Sequence, residues 1–297
     1  MKRLVIALIL IGLVISGCSS DKKKITVGAK NFTEQFLLAK MTVLLLEDNG
    51  FVVDEKSNMG SAALRQALEN KQVDVTWDYV ATALVTYLDQ EPINDKQEAF
   101  NKVKKIDKAE NEIYWSNLAE ANNTYTVVMR KKDAENLGIK TLSDLGKYMN
   151  ESNSPFTIAS DSEFANRPDG IPGLEKTYNF NFKDGSVKEM SYGLNYKALA
   201  KEEVDLANGH ATDGRVEAFD LINLEDDKQF FPPYNIALAI TEETKEKYPE
   251  IEEITKPLAE ILTDETLRNL NYLVDIEEKS VDEVAKQFLI ENGLLEE

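Results

Sequence analysis

Apolar residues recur along the chain in two alternating rhythms, short runs of strand length and longer stretches with helical spacing. The run Ile25-Thr26-Val27-Gly28 predicts a strand. Thr33 to Asp48 follows as a helix with Phe36, Leu37, Met41, Leu44 and Leu45 on one face; Asn31 and Glu34 are spaced as its N-cap and reciprocal partner, and Gly50 stops it. Phe51 to Asp54 predicts a second strand, Ser61 to Asn70 a second helix, and Val73 to Trp77 a third strand. Up to Trp77 the chain therefore reads β-α-β-α-β, an α/β architecture with a largely parallel sheet. Strands recur at 157–159, 187–190, 204–207 and 221–224, and helices close the chain at 251–262, 265–274 and 281–292.

A faint internal repeat organises this pattern. Ala67-Leu68-Glu69-Asn70-Lys71-Gln72-Val73-Asp74-Val75 aligns without a gap on Ala198-Leu199-Ala200-Lys201-Glu202-Glu203-Val204-Asp205-Leu206, at an offset of 131. Both segments read as helix, turn and strand. Tyr79 then falls on His210 and Thr82 on Asp213, so residues 77–82 and 208–215 are expected to form equivalent rims. In open α/β sheets the carboxyl ends of the strands are where ligands bind.

The first residues follow a different pattern. Lys2 and Arg3 precede the apolar run Leu4 to Ile15, which is too short to span hydrocarbon, and Ile15-Ser16-Gly17-Cys18 then places small residues before the only cysteine. This is the pattern of a bacterial lipoprotein processing site: residues 1–17 are expected to be a leader, 18–23 an anchor and linker, and Cys18 a diacylated thiol that tethers an extracytoplasmic protein to the outer face of the cytoplasmic membrane. No later stretch is apolar enough to span a bilayer. The formal charge of −19 argues against nucleic acid or anionic lipid as partner and suits a cationic ligand.

Catalysis finds little support in these residues. The one thiol is taken by the anchor, the one histidine has no Gly-x-Ser-x-Gly elbow beside it, and no cluster of His, Cys and carboxylates stands at metal-ligand spacing. A non-enzyme without cofactor or metal is expected.

Six segments, in order from 28 to 234, carry a resemblance: Gly28-Ala29-Lys30-Asn31-Phe32-Thr33-Glu34-Gln35, Asp78-Tyr79-Val80-Ala81-Thr82-Ala83, Asn122-Asn123-Thr124-Tyr125, Glu163-Phe164-Ala165-Asn166-Arg167-Pro168-Asp169-Gly170, Thr212-Asp213-Gly214-Arg215 and Phe231-Pro232-Pro233-Tyr234. With them the chain resembles the extracytoplasmic binding proteins of ABC importers for glycine betaine, choline and related quaternary amines. The resemblance implies a two-lobed, periplasmic-binding-protein-like clamshell (type II), each lobe a mixed, largely parallel sheet flanked by helices. It implies crossings near Tyr125 and Pro232-Pro233, one lobe of residues 24–124 with 234–297, and another of 125–233. It further implies a cage of Tyr79, Tyr125 and Tyr234, with His210 where a further tyrosine is usual, and Lys30, Thr82 and Arg167 as carboxylate contacts.

A trimethylammonium group has no N–H to donate and is held by contact and by ring faces, each worth about 0.5–2 kcal/mol. Arg167 offers a bidentate fork, aimed by the turn Arg167-Pro168-Asp169-Gly170. Phe32 and Trp77 are expected in the core, and Thr82 could also start a helix over Ala83 to Leu88. The valine and alanine of Val80-Ala81-Thr82 depart from the family's Thr-Gly-Thr. His210 is expected to protonate near its ordinary value of about 6.5, weakening a cation's binding as the solution turns acid. Its ring also offers a hydrogen bond that would suit carnitine or ergothioneine; an amino acid as ligand, or a sensor's role, is the alternative reading. The partners implied are a small quaternary ammonium ligand and a membrane permease with its ATPase, with the binding protein a monomer.

Overall fold

The computed structural model of the protein describes residues 23–152 and 156–296. The expected leader, the processing site and Cys18 lie outside the described residues.

Ten strands are described: β1 Lys23–Lys30, β2 Phe51–Met59, β3 Val75–Tyr79, β4 Ile113–Ser116, β5 Tyr125–Arg130, β6 Ile158–Ser160, β7 Val187–Glu189, β8 Leu206–His210, β9 Leu221–Asn223 and β10 Ile236–Thr241. They form two five-stranded sheets, in the orders β2-β1-β3-β10-β4 and β7-β6-β8-β5-β9. In each sheet two pairings are parallel and two antiparallel, in the same sequence, so that four strands run one way and one, β10 or β5, runs against them. The protein is thus an α/β clamshell of two like lobes. The central strands β3 and β10 are buried along their whole length; β10 is apolar from Ile236 to Ile240, whereas β3 carries Thr76 and Asp78 into the interior.

The repeat is real in the ladders. Val27 pairs with Val75 in the first sheet, and Ile158 with Leu206 in the second, at the same offset of 131. The loop bond repeats too: Thr26 N–H donates to Asp74 Oδ2 at 2.7 Å, and Thr157 N–H donates to Asp205 Oδ2 at 2.8 Å. The chain passes from the first sheet to the second through 117–124 and returns through 224–235. These two segments run side by side, with Tyr234 N–H donating to Asn122 Oδ1 at 2.7 Å and Asn235 Nδ2 donating to the Glu120 carbonyl at 2.9 Å.

Local expectations meet three corrections. The helix Thr33–Asp48 forms as read, but its N-cap is Phe32 and carries no side-chain cap; Asn31 is exposed and Glu34 turns inward. The helix is held instead by Leu37, Leu38, Met41, Leu45 and Leu46, all buried, each contributing about 1.5–3 kcal/mol. The second strand runs on to Met59, past the polar residues that hid it. Thr82 does not start a helix: it ends the helical turn Val80–Thr82, and Ala83–Tyr87 continues as a π turn. Trp77 is core as expected, its Nε1 donating to Thr42 Oγ1 at 2.7 Å. Among the described residues, no helix is long and apolar enough to cross a membrane.

Candidate functional site

A cleft of about 770 Å³ opens between the lobes, where the strands of both sheets end. β3 delivers Tyr79 at its last residue, β8 delivers His210 at its last, and β5 begins with Tyr125, paired across the ladder with His210. Tyr234 sits where the second crossing enters β10. All four line the cleft, together with Lys30 and Thr82.

The rings form one contiguous wall. Tyr125 lies 4.7 Å from His210 and 5.1 Å from Tyr234, centroid to centroid, both edge-on. Two rings that the motifs did not assign join them. Phe32, expected in the core, is half-buried on the cleft wall, 6.1 Å from Tyr79 and 5.7 Å from His210. Tyr192 lies 4.8 Å from His210. The repeat could have found Tyr192, because it stands 131 residues after Ser61, another cleft residue at the start of the equivalent helix. Aromatic faces from both lobes and from both crossings therefore converge on one space.

The cations are less free than their residue types suggest. Lys30 Nζ pairs with Asp78 Oδ1 at 2.6 Å, both buried, and lies 5.0 Å from the centroid of the Tyr79 ring. Arg167 lies behind the wall rather than on it. Its Nε and Nη2 hold Asp169 at 2.6 and 2.7 Å, and Nη1 holds Glu163 at 2.8 Å while reaching Tyr125 Oη at 3.4 Å and Thr82 Oγ1 at 3.5 Å. The expected turn is present, closed by Gly170 N–H donating to the Arg167 carbonyl at 3.0 Å. Asp161, Glu163 and Glu189 add carboxylates to the cleft, all from the second lobe.

His210 is half-buried at the end of β8, and desolvation first, then the charges of Arg167, Lys30 and Arg215, pushes its imidazole down to about 3. This overturns the expectation of protonation near 6.5. Burial foremost also raises the phenols of Tyr79, Tyr125, Tyr192 and Tyr234 well above their ordinary value, so these rings are neutral phenols. Three of them donate to buried carboxylates: Tyr79 to Glu34 at 2.7 Å, Tyr192 to Asp213 at 2.9 Å, and Tyr234 to Asp169.

The segment Thr212-Asp213-Gly214-Arg215 lies behind the ring wall, between Tyr192 and the helix Asp264–Asp275 of the first lobe. Arg215 Nη2 pairs with Asp275 Oδ1 at 2.5 Å, and Asn271 Nδ2 donates to the Thr212 carbonyl at 3.0 Å. A Cβ at Gly214 would meet the Tyr272 Cβ at 2.8 Å, so this close approach requires glycine. Its place in the motif is a contact between lobes. Among the described residues, no group of three or more His, Cys, Asp or Glu could hold a metal ion.

The family model for the substrate binding domain of ABC-type glycine betaine transport systems, OpuAC, matches residues 23–291. A glycine-betaine-binding protein of Pseudomonas aeruginosa is 35% identical over 291 residues, covering 96% of this chain and 93% of its own. The carnitine transport binding protein OpuCC of Listeria monocytogenes is 34% identical over 294 residues, covering 96% and 94%. A solved structure described as a glycine betaine/carnitine/choline ABC transporter superposes with a TM-score of 0.73 at 31% identity, covering 91% of this chain and 99% of that chain.

Proposed function

Because the chain belongs to the family of substrate-binding domains of ABC-type glycine betaine transport systems, we propose that its cleft captures a quaternary ammonium compound of the glycine betaine, choline and carnitine class. The protein is an extracytoplasmic solute-binding protein of an ABC importer, and its relatives are transport proteins rather than enzymes.

The observation that carries the ligand class is the convergence of Phe32, Tyr79, Tyr125, Tyr192, His210 and Tyr234 on one cleft from both lobes. A trimethylammonium group finds there what it needs, desolvated ring faces on several sides. Lys30, Thr82 and Arg167 would take the carboxylate of a zwitterionic ligand. To reach Arg167 Nη1 the ligand displaces Glu163, whose side chain is 34% exposed and free to swing out. Three or more rings with one charge-assisted pair suffice for a micromolar complex, about −8 kcal/mol, after ordering costs.

Ligand contacts from both lobes would stabilise a closed form, with the chain pivoting about the two crossings, and that form would be read by the permease. The mature protein would be tethered through acylated Cys18, a reading that rests on the small-residue pattern before that cysteine, and would act as a monomer.

Calorimetric titration at about pH 7.5 with glycine betaine, choline, carnitine, ergothioneine and proline tests the reading. Binding of a trimethylammonium compound at about micromolar or tighter, with proline silent, is expected. Binding of proline alone, or of none of the five, rejects the cage.

A further inference from the structure

Glu34 does not line the cleft, yet it lies directly behind it. The carboxylate is 2% exposed, and four donors converge on its two oxygens. Tyr79 Oη and Asn123 Nδ2 donate to Oε1 at 2.7 and 2.8 Å; Thr212 Oγ1 and Asn271 Nδ2 donate to Oε2 at 2.6 and 3.3 Å. Among the described residues no cation pairs with it. This sets Glu34 apart from Asp78, Asp169 and Asp213, which are answered by Lys30, Arg167 and Arg215. A buried carboxylate met only by neutral donors is costly to keep, and the fold places it one ring away from the space where a cation is expected.

Its bonds fix the protons of both rim residues. Gln35 Nε2 donates to the Tyr79 oxygen at 3.2 Å, so the phenol's own proton is left for Glu34. Because Asn123 gives its Nδ2 to Glu34, its Oδ1 is the atom that faces His210 Nδ1, at 3.1 Å, and it can only accept. His210 therefore carries its proton on Nδ1 and keeps a lone pair on Nε2. A phenol that donates to a carboxylate, and an imidazole held neutral with a free lone pair, are both better partners for a positive charge than the same rings unanchored.

We propose that Glu34 is the specificity-determining residue of the site: without touching ligand, it supplies through Tyr79 and Asn123 the negative polarity that makes the rim rings select a permanent cation over a neutral molecule of the same shape. The inference rests on the quaternary ammonium reading above and adds to it the source of charge selectivity.

The test compares choline with dimethylbutanol, its neutral carbon isostere, by ligand-observed NMR titration of the purified mature domain, in wild type, Glu34→Gln, Tyr79→Phe and the double variant. Wild type should prefer choline strongly. Glu34→Gln should weaken choline about tenfold and dimethylbutanol by less than about twofold; Tyr79→Phe should do the same to a smaller degree, and the double variant should add nothing to Glu34→Gln, since the two act as one relay. Thermal unfolding of each variant establishes that it is folded. Should Glu34→Gln not fold, the selective loss in Tyr79→Phe carries the test.

Equal losses for both ligands would mean that Glu34 serves packing or balances Lys30, and would overturn the proposal while leaving the cage intact. No loss in either variant overturns it as well. A wild type that binds dimethylbutanol as well as choline, or neither, removes the functional reading and this inference together.

Discussion

Where β1 ends, the first lobe places Lys30 in a buried ion pair with Asp78; just beyond β6, at the equivalent position, the second lobe places Asp161, held by the backbone N–H groups of Glu163 and Phe164 and by Asn208 Nδ2 at 2.7 Å. Two positions further on, the first lobe has Phe32 and the second Glu163. At the ends of β3 and β8, Tyr79 faces His210 across the cleft. The ladders beneath these rims keep one register, so the framework has been conserved between lobes while its chemistry has been divided. Phe32, Tyr79 and a neutralised ammonium come from one side, Tyr192, carboxylates and a neutral imidazole from the other. A ligand bridging the lobes would meet two different surfaces.

The largest effect tests that division through stability. Lys30→Met leaves Asp78 buried with only the Tyr79 N–H and the Tyr87 hydroxyl as donors, and should cost about 3–5 kcal/mol in urea unfolding. Asp161→Asn keeps a capping oxygen for the helix Ser162–Asn166 and should cost about 1 kcal/mol or less. Equal losses would mean that the two strand ends carry equivalent charges after all.

Exchanging the rim residues is the next test, read in affinity for choline. Tyr79→His removes the better cation face and the phenol proton that Glu34 accepts, and should weaken binding about tenfold. His210→Tyr makes the second rim like the first and should tighten binding by about threefold, at the expense of the bond to Asn123. If His210→Tyr weakens binding instead, the imidazole is itself a ligand contact and the rims are complementary rather than unequal.

Much of this was legible in the chain because it depends on local spacing. The strand and helix rhythm, the offset of 131 and the six motifs point to both strand-end rims and to four rings, Tyr79, Tyr125, His210 and Tyr234, that the fold brings to one cleft. What was hidden depends on partners distant in sequence. Glu34 reads as a capping residue because it stands three after Asn31, but burial against Tyr79, Asn123, Thr212 and Asn271 takes it elsewhere. Phe32 reads as core because it is apolar beside a helix; only the approach of the second lobe makes it a wall. Arg167 reads as a free fork, and the carboxylates that fill it are its own neighbours Glu163 and Asp169, whose side chains no periodicity directs.

The smallest expected effect on affinity concerns acid. The folded protein holds His210 at about 3, against about 6.5 in an unfolded chain, so between those values the unfolded state binds the extra proton. The stability His210 contributes is complete above about 6.5 and is lost as pH falls toward 3, by at most about 1.4 kcal/mol per pH unit. Glu34 works in the opposite sense: burial raises its carboxyl, so acid relieves a buried charge and its contribution to stability grows as pH falls. The difference in stability between wild type and His210→Tyr, followed with pH, isolates the first of these. For affinity the two groups separate completely. His210 is neutral at about pH 7.5 and at about pH 5.5 alike, so choline binding should change by the same factor over that range in wild type and in His210→Tyr. Any weakening in acid should instead disappear in Glu34→Gln, because the group being discharged is the carboxylate behind the cage. A weakening that His210→Tyr removes would return the titrating role to the second rim and place its ring in contact with water.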